Sequence, residues 1–307
     1  MKTIIVTGGA GFIGSHVVDR LVGRGREVHV IDDLSTGNRR QIDRSAKLHV
    51  LDIRSEKIRP LFRRIKPDTV VHLAAQIDVR RSIREPAEDA DINIRGGLNV
   101  LEACGAAGTR YLVFASSAAV YGPPAVLPLP EDTVLKPSSP YGLAKLAFEH
   151  YLRIFSEIYG LKYAALRFAN VYGPRQTVKG EAGVVAIFLK RLLSGEPVGV
   201  NGDGGQTRDY VFVGDVADMV ALAALKGLPG TFNISTGVET SVNDVLRQLR
   251  RLTGSGSPVE RRPPVPNEDR RCSLDPSKAF EASGWRAKVK LADGLRLTCE
   301  AALAAGW

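Results

Sequence analysis

Tyr141 and Lys145 stand four residues apart in the segment Tyr141-Gly-Leu-Ala-Lys145. On a helix that spacing puts two side chains on one face, about one turn apart. A phenol alone titrates near 10 and is a poor base at neutral pH. An ammonium ~5 Å away, at an effective dielectric of ~20, stabilises the phenolate by roughly 3 kcal/mol, or about two pKa units. Tyr141 can then act as general base toward a hydroxyl. Ser117 follows in Phe114-Ala115-Ser116-Ser117. A serine hydroxyl donates and accepts together, so it can bridge a substrate oxygen and the tyrosine as a proton moves. Ser116 reads equally as a simple turn residue, and spacing does not choose between the two serines. Taken alone, a Tyr-x-x-x-Lys pair arises often by chance, with the tyrosine in a core and the lysine on a solvated face. Its meaning here comes from the rest of the chain.

The chain opens with the β-branched run Thr3-Ile-Ile-Val-Thr7, which passes directly into Gly8-Gly-Ala-Gly11-Phe12-Ile13-Gly14. This reads as a buried parallel strand entering a dinucleotide loop. Gly8 permits the tight turn, and Gly11 lets backbone N–H groups approach a pyrophosphate. Phe12 and Ile13 stand with these glycines on the cofactor side, and Gly14 lets the following helix pack close to the sheet. The next apolar run ends in Asp32, close to the spacing at which a carboxylate accepts hydrogen bonds from the adenosine ribose and repels a 2′-phosphate. The expected cofactor is therefore NAD rather than NADP. Lys145 would also hydrogen-bond the nicotinamide ribose and orient the ring.

The elements that must position these residues alternate along the first half. Strands are expected at Thr3–Thr7, Val28–Ile31, Leu48–Leu51, Thr69–Ala74, Tyr111–Ser116 and Tyr163–Phe168, with helices at Ile13–Arg24, Ile92–Ala107 and Tyr141–Tyr159. Such alternation predicts an α/β fold, a Rossmann doubly wound parallel sheet with its ligand beyond the carboxyl ends of the strands. From about Val171 Pro and Gly become frequent and the helices shorten. This half reads as a smaller mixed α/β substrate-binding cap. The expected division is a NAD-binding domain over 1–170, to which part of 211–236 returns, and a substrate-binding domain over 171–307. Ser255 to Asn267 reads as a loop or irregular edge strand.

Composition narrows the alternatives. With 307 residues, 44% hydrophobic and 24% charged, the chain is an ordinary globular protein. No apolar stretch approaches the ~20 residues of a membrane span, and the N-terminus lacks signal-peptide architecture, so the cytoplasm is the expected location. Cys104, Cys272 and Cys299 are widely spaced, which suits a reducing compartment and gives no metal-ligand pattern. The net charge of +9 is dispersed in arginine pairs such as Arg39-Arg40 and Arg250-Arg251. That pattern fits solvated faces and a field attracting a small dianion better than a nucleic-acid surface.

Further segments carry a resemblance: Asp32-Asp-Leu-Ser-Thr-Gly-Asn38, Asp52-Ile53, His72-Leu-Ala-Ala-Gln76, Asn93, Ser116-Ser-Ala-Ala-Val-Tyr-Gly122, Arg167-Phe-Ala-Asn-Val-Tyr-Gly-Pro-Arg-Gln176 and Arg208-Asp-Tyr-Val211. With the glycine loop, Tyr141 and Lys145, they resemble the extended short-chain dehydrogenase/reductase family, specifically its nucleotide-sugar 4-epimerases, over nearly the whole chain. The resemblance implies NAD as cofactor, a UDP-hexose as substrate, and exchange of UDP-glucose with UDP-galactose through a 4-keto intermediate. Ser117 rather than Ser116 would be the third catalytic residue. On the cofactor side it implies Asp52 and Ile53 at the adenine and Asn38 enclosing the adenosine. Ala74 and Ala75 would leave room for pyrophosphate and ribose, with Gln76 and Asn93 supporting that side. On the substrate side it implies Asn170 and Arg208 at the diphosphate, and the Gly183-Val184 backbone and Val200-Asn201 at the nucleotide. Glu268 would meet the uridine ribose, and Cys272 would stand beside the sugar, small enough to leave room for a 2-acetamido group. Arg208 has a plain alternative as an exposed ion-pair partner of Asp209, and Asn170 as a turn residue. Val265 stands where relatives carry a phosphate-binding arginine; Arg262 and Arg270 are the candidate substitutes, and without one the diphosphate affinity falls. The family also implies a homodimer, and Phe148, Leu152 and Phe155 suit either that interface or the core.

Two other readings remain at this point. One is epimerisation of a UDP-N-acetylhexosamine or UDP-uronate. The other is a non-catalytic NAD-sensing or RNA-associated member of the fold, which would have no need of Ser117, Tyr141 and Lys145 together. Dehydration is disfavoured because Ala118-Ala119 stand where dehydratases resemble one another in carrying a carboxylate.

Overall fold

The computed structural model describes residues 2–123, 126–177, 183–265 and 269–307. In chain order the elements begin β1 (Thr3–Thr7), α1 (Phe12–Val22), β2 (Glu27–Asp32), β3 (Lys47–Val50), α2 (Ile58–Ile65) and β4 (Thr69–His72). Next come α3 (Val79–Arg84), α4 (Pro86–Ala90), a π-helical turn (Asp91–Gly96), α5 (Gly97–Ala107), β5 (Tyr111–Ser117), α6 (Pro140–Tyr159) and β6 (Lys162–Phe168). The remainder is β7 (Asn170–Tyr172), α7 (Val184–Leu193), β8 (Val198–Asn201), β9 (Thr207–Phe212), α8 (Val213–Lys226), β10 (Gly230–Ile234), β11 (Glu239–Ser241), α9 (Val242–Thr253), β12 (Val259–Arg262), α10 (Ser277–Ser283) and α11 (Leu291–Ala304).

A seven-stranded sheet runs in the order β10-β6-β5-β4-β1-β2-β3. The pairs from β3 through to β6 are parallel. This is the doubly wound arrangement, with the order reversing between β1 and β4, where the strand ends diverge and open a crevice. The strands are continuous hydrophobic runs because helices cover both faces. Ile4, Ile5 and Val6 are fully buried. The chain separates into two compact units. The first is Met1–Gly122, Val134–Phe168 and Ala217–Phe232, and the second is Pro123–Thr133, Ala169–Val216 and Asn233–Trp307. The first has a core around Phe62, Leu101, Leu112, Phe114, Phe148 and Leu152. The second has its own core around Tyr172, Phe188, Leu189, Val198, Val200 and Leu249. It contains the three-stranded sheet β11-β9-β7 and the pair β12-β8.

Three expectations change in detail. The helix expected at Ile92–Ala107 begins as the π turn Asp91–Gly96, whose wider loop carries Asn93 within reach of Gln76. The irregular segment after Ser255 contains a short strand, β12, which gains partners by lying parallel to β8. Phe148 and Leu152 are wholly buried and Phe155 packs against the same core. Phe148 and Leu152 belong to the interior of the first unit, with Phe155 half-buried at its margin; the exposed large apolar residues of α6 are Leu143, Ile154, Ile158 and Tyr159.

Candidate active site

In the first unit, β1 ends at Gly8, which has φ +69° and donates its N–H to Ile31 O (2.8 Å). A β-carbon on Gly8 would lie 2.7 Å from Ala74 N, and one on Gly14 would lie 2.0 Å from Gly8 O. The loop can therefore close only with glycine at both positions. Gly11 is the N-cap of α1 and supplies no side-chain cap, so the first amides of the helix, at Phe12, Ile13 and Gly14, have no side-chain acceptor there. Uncapped amides at a positive helix end suit a diphosphate. That cradle fits a dinucleotide, and NAD in particular, because Asp32 stands at the end of β2. Asp32 is buried, with Oδ2 accepting from Ala10 N (2.9 Å) and Oδ1 from Leu34 N (2.9 Å). Burial pushes its carboxyl above the usual range, and the two amides offset part of that rise. Each oxygen keeps a lone pair for a ribose hydroxyl. Asn38 is exposed, donating its N–H to Ala10 O and accepting from Arg40 N.

Asp52 is gripped by Arg54, whose Nη2 reaches Oδ2 at 2.6 Å while its Nη1 reaches Asp91 at 2.9 Å. The guanidinium holds the Asp52 carboxyl below its ordinary range. The Ile53 side chain is in the core. At the end of β4, Ala74 donates its N–H to Thr7 Oγ1 (3.2 Å), and Thr7 Oγ1 also lies 2.7 Å from His72 Nδ1. Ala74 and Ala75 are half-buried. Gln76 N donates to Asn93 Oδ1, and Asn93 Nδ2 donates back to Gln76 O, both at 2.9 Å.

The catalytic candidates gather at the end of β5. Ser116 is buried and donates to Glu149 Oε1 (2.5 Å), while Ser117 is half-buried and accepts from Ala119 N (3.2 Å). Accepting from Ala119 leaves the Ser117 hydroxyl hydrogen to donate elsewhere. Strand alternation thus turns Ser116 inward and Ser117 outward. Helix α6 starts with Ser139 accepting from Gly142 N and Pro140 in the first turn, a strong start signal. A β-carbon on Gly142 would meet Ala119 O at 2.4 Å, so glycine is what lets α6 approach the turn after Ser117. Tyr141 follows, its N–H donating to Ser82 Oγ (3.2 Å). Lys145 is 4% exposed, donates to Ala115 O at 2.9 Å, and places Nζ 5.7 Å from the centre of the Tyr141 ring. Two of its three N–H donors remain for a ligand. Burial lowers Lys145 to about 8, and the charge of Asp89 opposes that fall. One turn further, Glu149 forms a buried ion pair with Arg167 (Nη2–Oε2 2.7 Å), and Arg167 Nη1 donates to Tyr121 (2.9 Å).

In the second unit, Asn170 is exposed at the start of β7. Gly183 caps α7, followed by half-buried Val184. In the Val200-Asn201 stretch of β8 the strand alternates, turning the Val200 side chain into the core (1% exposed) and leaving Asn201 half-buried. Arg208 donates to Thr207 O (2.8 Å). Its plain alternative weakens, since Asp209 is buried and takes N–H bonds from Thr236 and Gly237 (2.9 Å each). Thr207 N donates to Arg270 O, which ties β9 to the Arg270–Cys272 segment. Cys272 is pushed up to about 11 by burial, with Arg208 pulling it down. Arg270 is held by Asp203 (2.6 and 2.7 Å), and the Arg262 guanidinium lies over Gly199. Glu268 lies outside the described residues.

Three functional candidates escaped the sequence reading: Asp89, Glu149 and Arg54. Glu149 had a signal, being four residues beyond Lys145 on the same helical face. Arg54 follows Asp52 by two. Asp89 had none.

The sequence profile of the NAD dependent epimerase/dehydratase family matches residues 4–235. The chain belongs to this family. Within it, the UDP-glucose 4-epimerase of Mycolicibacterium smegmatis is 43% identical over 307 residues, covering 98% of each protein. The crystal structure of a UDP-glucose 4-epimerase from Thermotoga maritima, with UDP-glucose, superposes with a TM-score of 0.96 at 46% identity over 99% of both chains. That of the Thermus thermophilus UDP-glucose 4-epimerase, in complex with NAD, gives 0.94 at 43% identity over 99% of both. No helix among the described residues of this epimerase/dehydratase family member is long and apolar enough to cross a membrane.

Proposed function

We propose that the protein is a NAD-dependent 4-epimerase that interconverts UDP-glucose and UDP-galactose. The observation that carries the reading is the Lys145 ammonium, anchored on Ala115 O and 5.7 Å from the Tyr141 ring, beside the outward-facing Ser117. The likeness to UDP-glucose 4-epimerases along 98–99% of the chain supports the same substrate.

Bound NAD supplies the hydride acceptor and donor. Gly8, Gly11, Phe12, Ile13 and Gly14 would hold its diphosphate, Asp32 and Asn38 its adenosine ribose, Asp52 and Ile53 its adenine. Ala74, Ala75, Gln76 and Asn93 would frame the rest, and Lys145 the nicotinamide ribose. Tyr141 takes the proton of the sugar 4-hydroxyl as the hydride departs from C4, and Ser117 donates to that oxygen. The resulting 4-ketose turns about its bond to the diphosphate and presents its other face. Tyr141 then returns the proton as hydride comes back. The second unit is the nucleotide-sugar-binding part: Asn170 and Arg208 on the diphosphate, Gly183, Val184 and the Val200-Asn201 stretch on the nucleotide, Glu268 on the uridine ribose, Cys272 near the sugar. A firm grip on the nucleotide leaves the sugar loose enough to turn.

The exposed Leu143, Ile154, Ile158 and Tyr159 on α6 support a homodimer built across that helix. A cytoplasmic location suits Cys104 and Cys299, buried as free thiols. Purified protein incubated with UDP-galactose and no added electron acceptor should yield UDP-glucose by NMR, with UDP-N-acetylgalactosamine in a parallel arm. Absence of conversion of UDP-galactose would overturn the reading.

A further inference from the structure

Asp89 takes part in none of the steps above. It lies on α4 and is 2% exposed. Its Oδ1 accepts from Gln76 Nε2 (2.8 Å) and Asn93 Nδ2 (3.0 Å). Its Oδ2 is buried without a hydrogen-bond partner among the described residues. A carboxylate in that state is costly unless a positive charge faces it. Helix α4 packs against α6, and Asp89 lines one cavity, of about 390 Å³, with Ala144, the residue before Lys145.

Among the described residues, the acidic groups on the neighbouring elements have other cationic partners: in the π turn packed against α6, Asp91 pairs with Arg54 and Arg95. On its own helix are Tyr141 and Glu149, and Glu149 is paired with Arg167 of β6. From β4 comes His72, kept neutral because burial lowers it to about 3. On α4, Glu88 is paired with Arg81, as is Glu85 before it. We propose that Asp89 is the buried counter-charge that keeps Lys145 an ammonium beside Tyr141, while its Oδ1 fixes Gln76 and Asn93 at the cofactor side. It is a positioning residue, acting through Lys145, and the inference rests on the reading of Tyr141 and Lys145 as the catalytic pair. The electrostatics agree in direction: each group draws the other toward its charged form against the effect of burial.

The test is the pH profile of kcat/KM for the NAD-loaded enzyme. Lys145 loses its proton near 8, which sets an alkaline limb. Asp89→Asn keeps an oxygen for both N–H bonds and removes only the charge. The limb should move down by about one pH unit, with activity at pH 8 falling about fivefold. Asp89→Glu, which keeps the charge, should return the limb to its place. Asp89→Ser, neutral and smaller, should give the same displacement where Asp89→Asn does not fold. Asn93→Ala, which breaks the network and leaves the charge, should weaken NAD retention without moving the limb. A limb unmoved in the neutral variants, or moved equally by Asn93→Ala, would overturn the proposal. Tyr141→Phe separates the two levels. If it stays active, the catalytic pair itself falls. If it is inactive while the limb ignores Asp89, only the role of Asp89 falls.

Discussion

Replacing Lys145 with methionine removes one charge and keeps an unbranched chain in a pocket where the lysine is 4% exposed. The lost interaction can be sized from the 5.7 Å between Nζ and the Tyr141 ring centre. At an effective dielectric of ~20 this is ~3 kcal/mol, which raises the tyrosine by about two pKa units. Near pH 7 the phenolate fraction, and with it kcat, should fall ~100-fold. The deficit should hold up to about pH 8 and shrink several-fold per pH unit above it, as the variant's phenol ionises unaided and the parent enzyme loses its ammonium, so the two profiles converge in alkali. Two opposing terms act on stability. The fall of Lys145 from 10.5 to about 8 on folding means that burying the ammonium costs ~3 kcal/mol at pH 7, a penalty relieved as pH rises from 8 to 10.5. Lys145→Met removes that penalty but strands the buried Asp89 carboxylate without its facing charge, so at pH 7 the Tm should fall as activity is lost. Initial rates of UDP-galactose conversion from pH 6 to 10, paired with thermal melts, check both halves. A loss below about fivefold at pH 7, or one that stays constant with pH, would refute the electrostatic reasoning.

Gly14→Ala drives a methyl to 2.0 Å from Gly8 O, so the loop must open and NAD retention on gel filtration should fall at least ~10-fold. Glu149→Ala leaves the Arg167 guanidinium buried without its carboxylate and should cost about 3–5 kcal/mol in urea denaturation. His72 is lowered on folding from 6.5 to about 3. The unfolded chain therefore binds the extra proton between those values, and stability falls as pH falls from 6.5 toward 3. His72→Gln should flatten that decline in denaturation midpoints measured from pH 7 to 4.

The sequence by itself determined what is local. A β-branched strand running into Gly8, Gly11 and Gly14 can make one kind of turn, because a side chain at those points meets backbone atoms. Asp32 follows at the end of the next strand, and four residues separate Tyr141 from Lys145 on whatever helix carries them. Continuous apolar strands between amphipathic helices likewise announce a parallel sheet before any coordinate is known. What the tertiary structure decided depends on contacts between segments distant along the chain. Ser116 and Ser117 are neighbours of one type, and only pairing with β6 and packing of α6 turn the first to Glu149 and leave the second outward. Phe148 and Leu152 could have faced a partner; their contact with Phe62, Leu101 and Leu112 makes them core. Asp89 is a single acid in an acidic stretch of sequence, and it acquires a role because a π turn and a short helix bury it beside Gln76, Asn93 and α6. Spacing encodes which side chains share an element, whereas burial and charge neighbourhood exist only once the elements have packed.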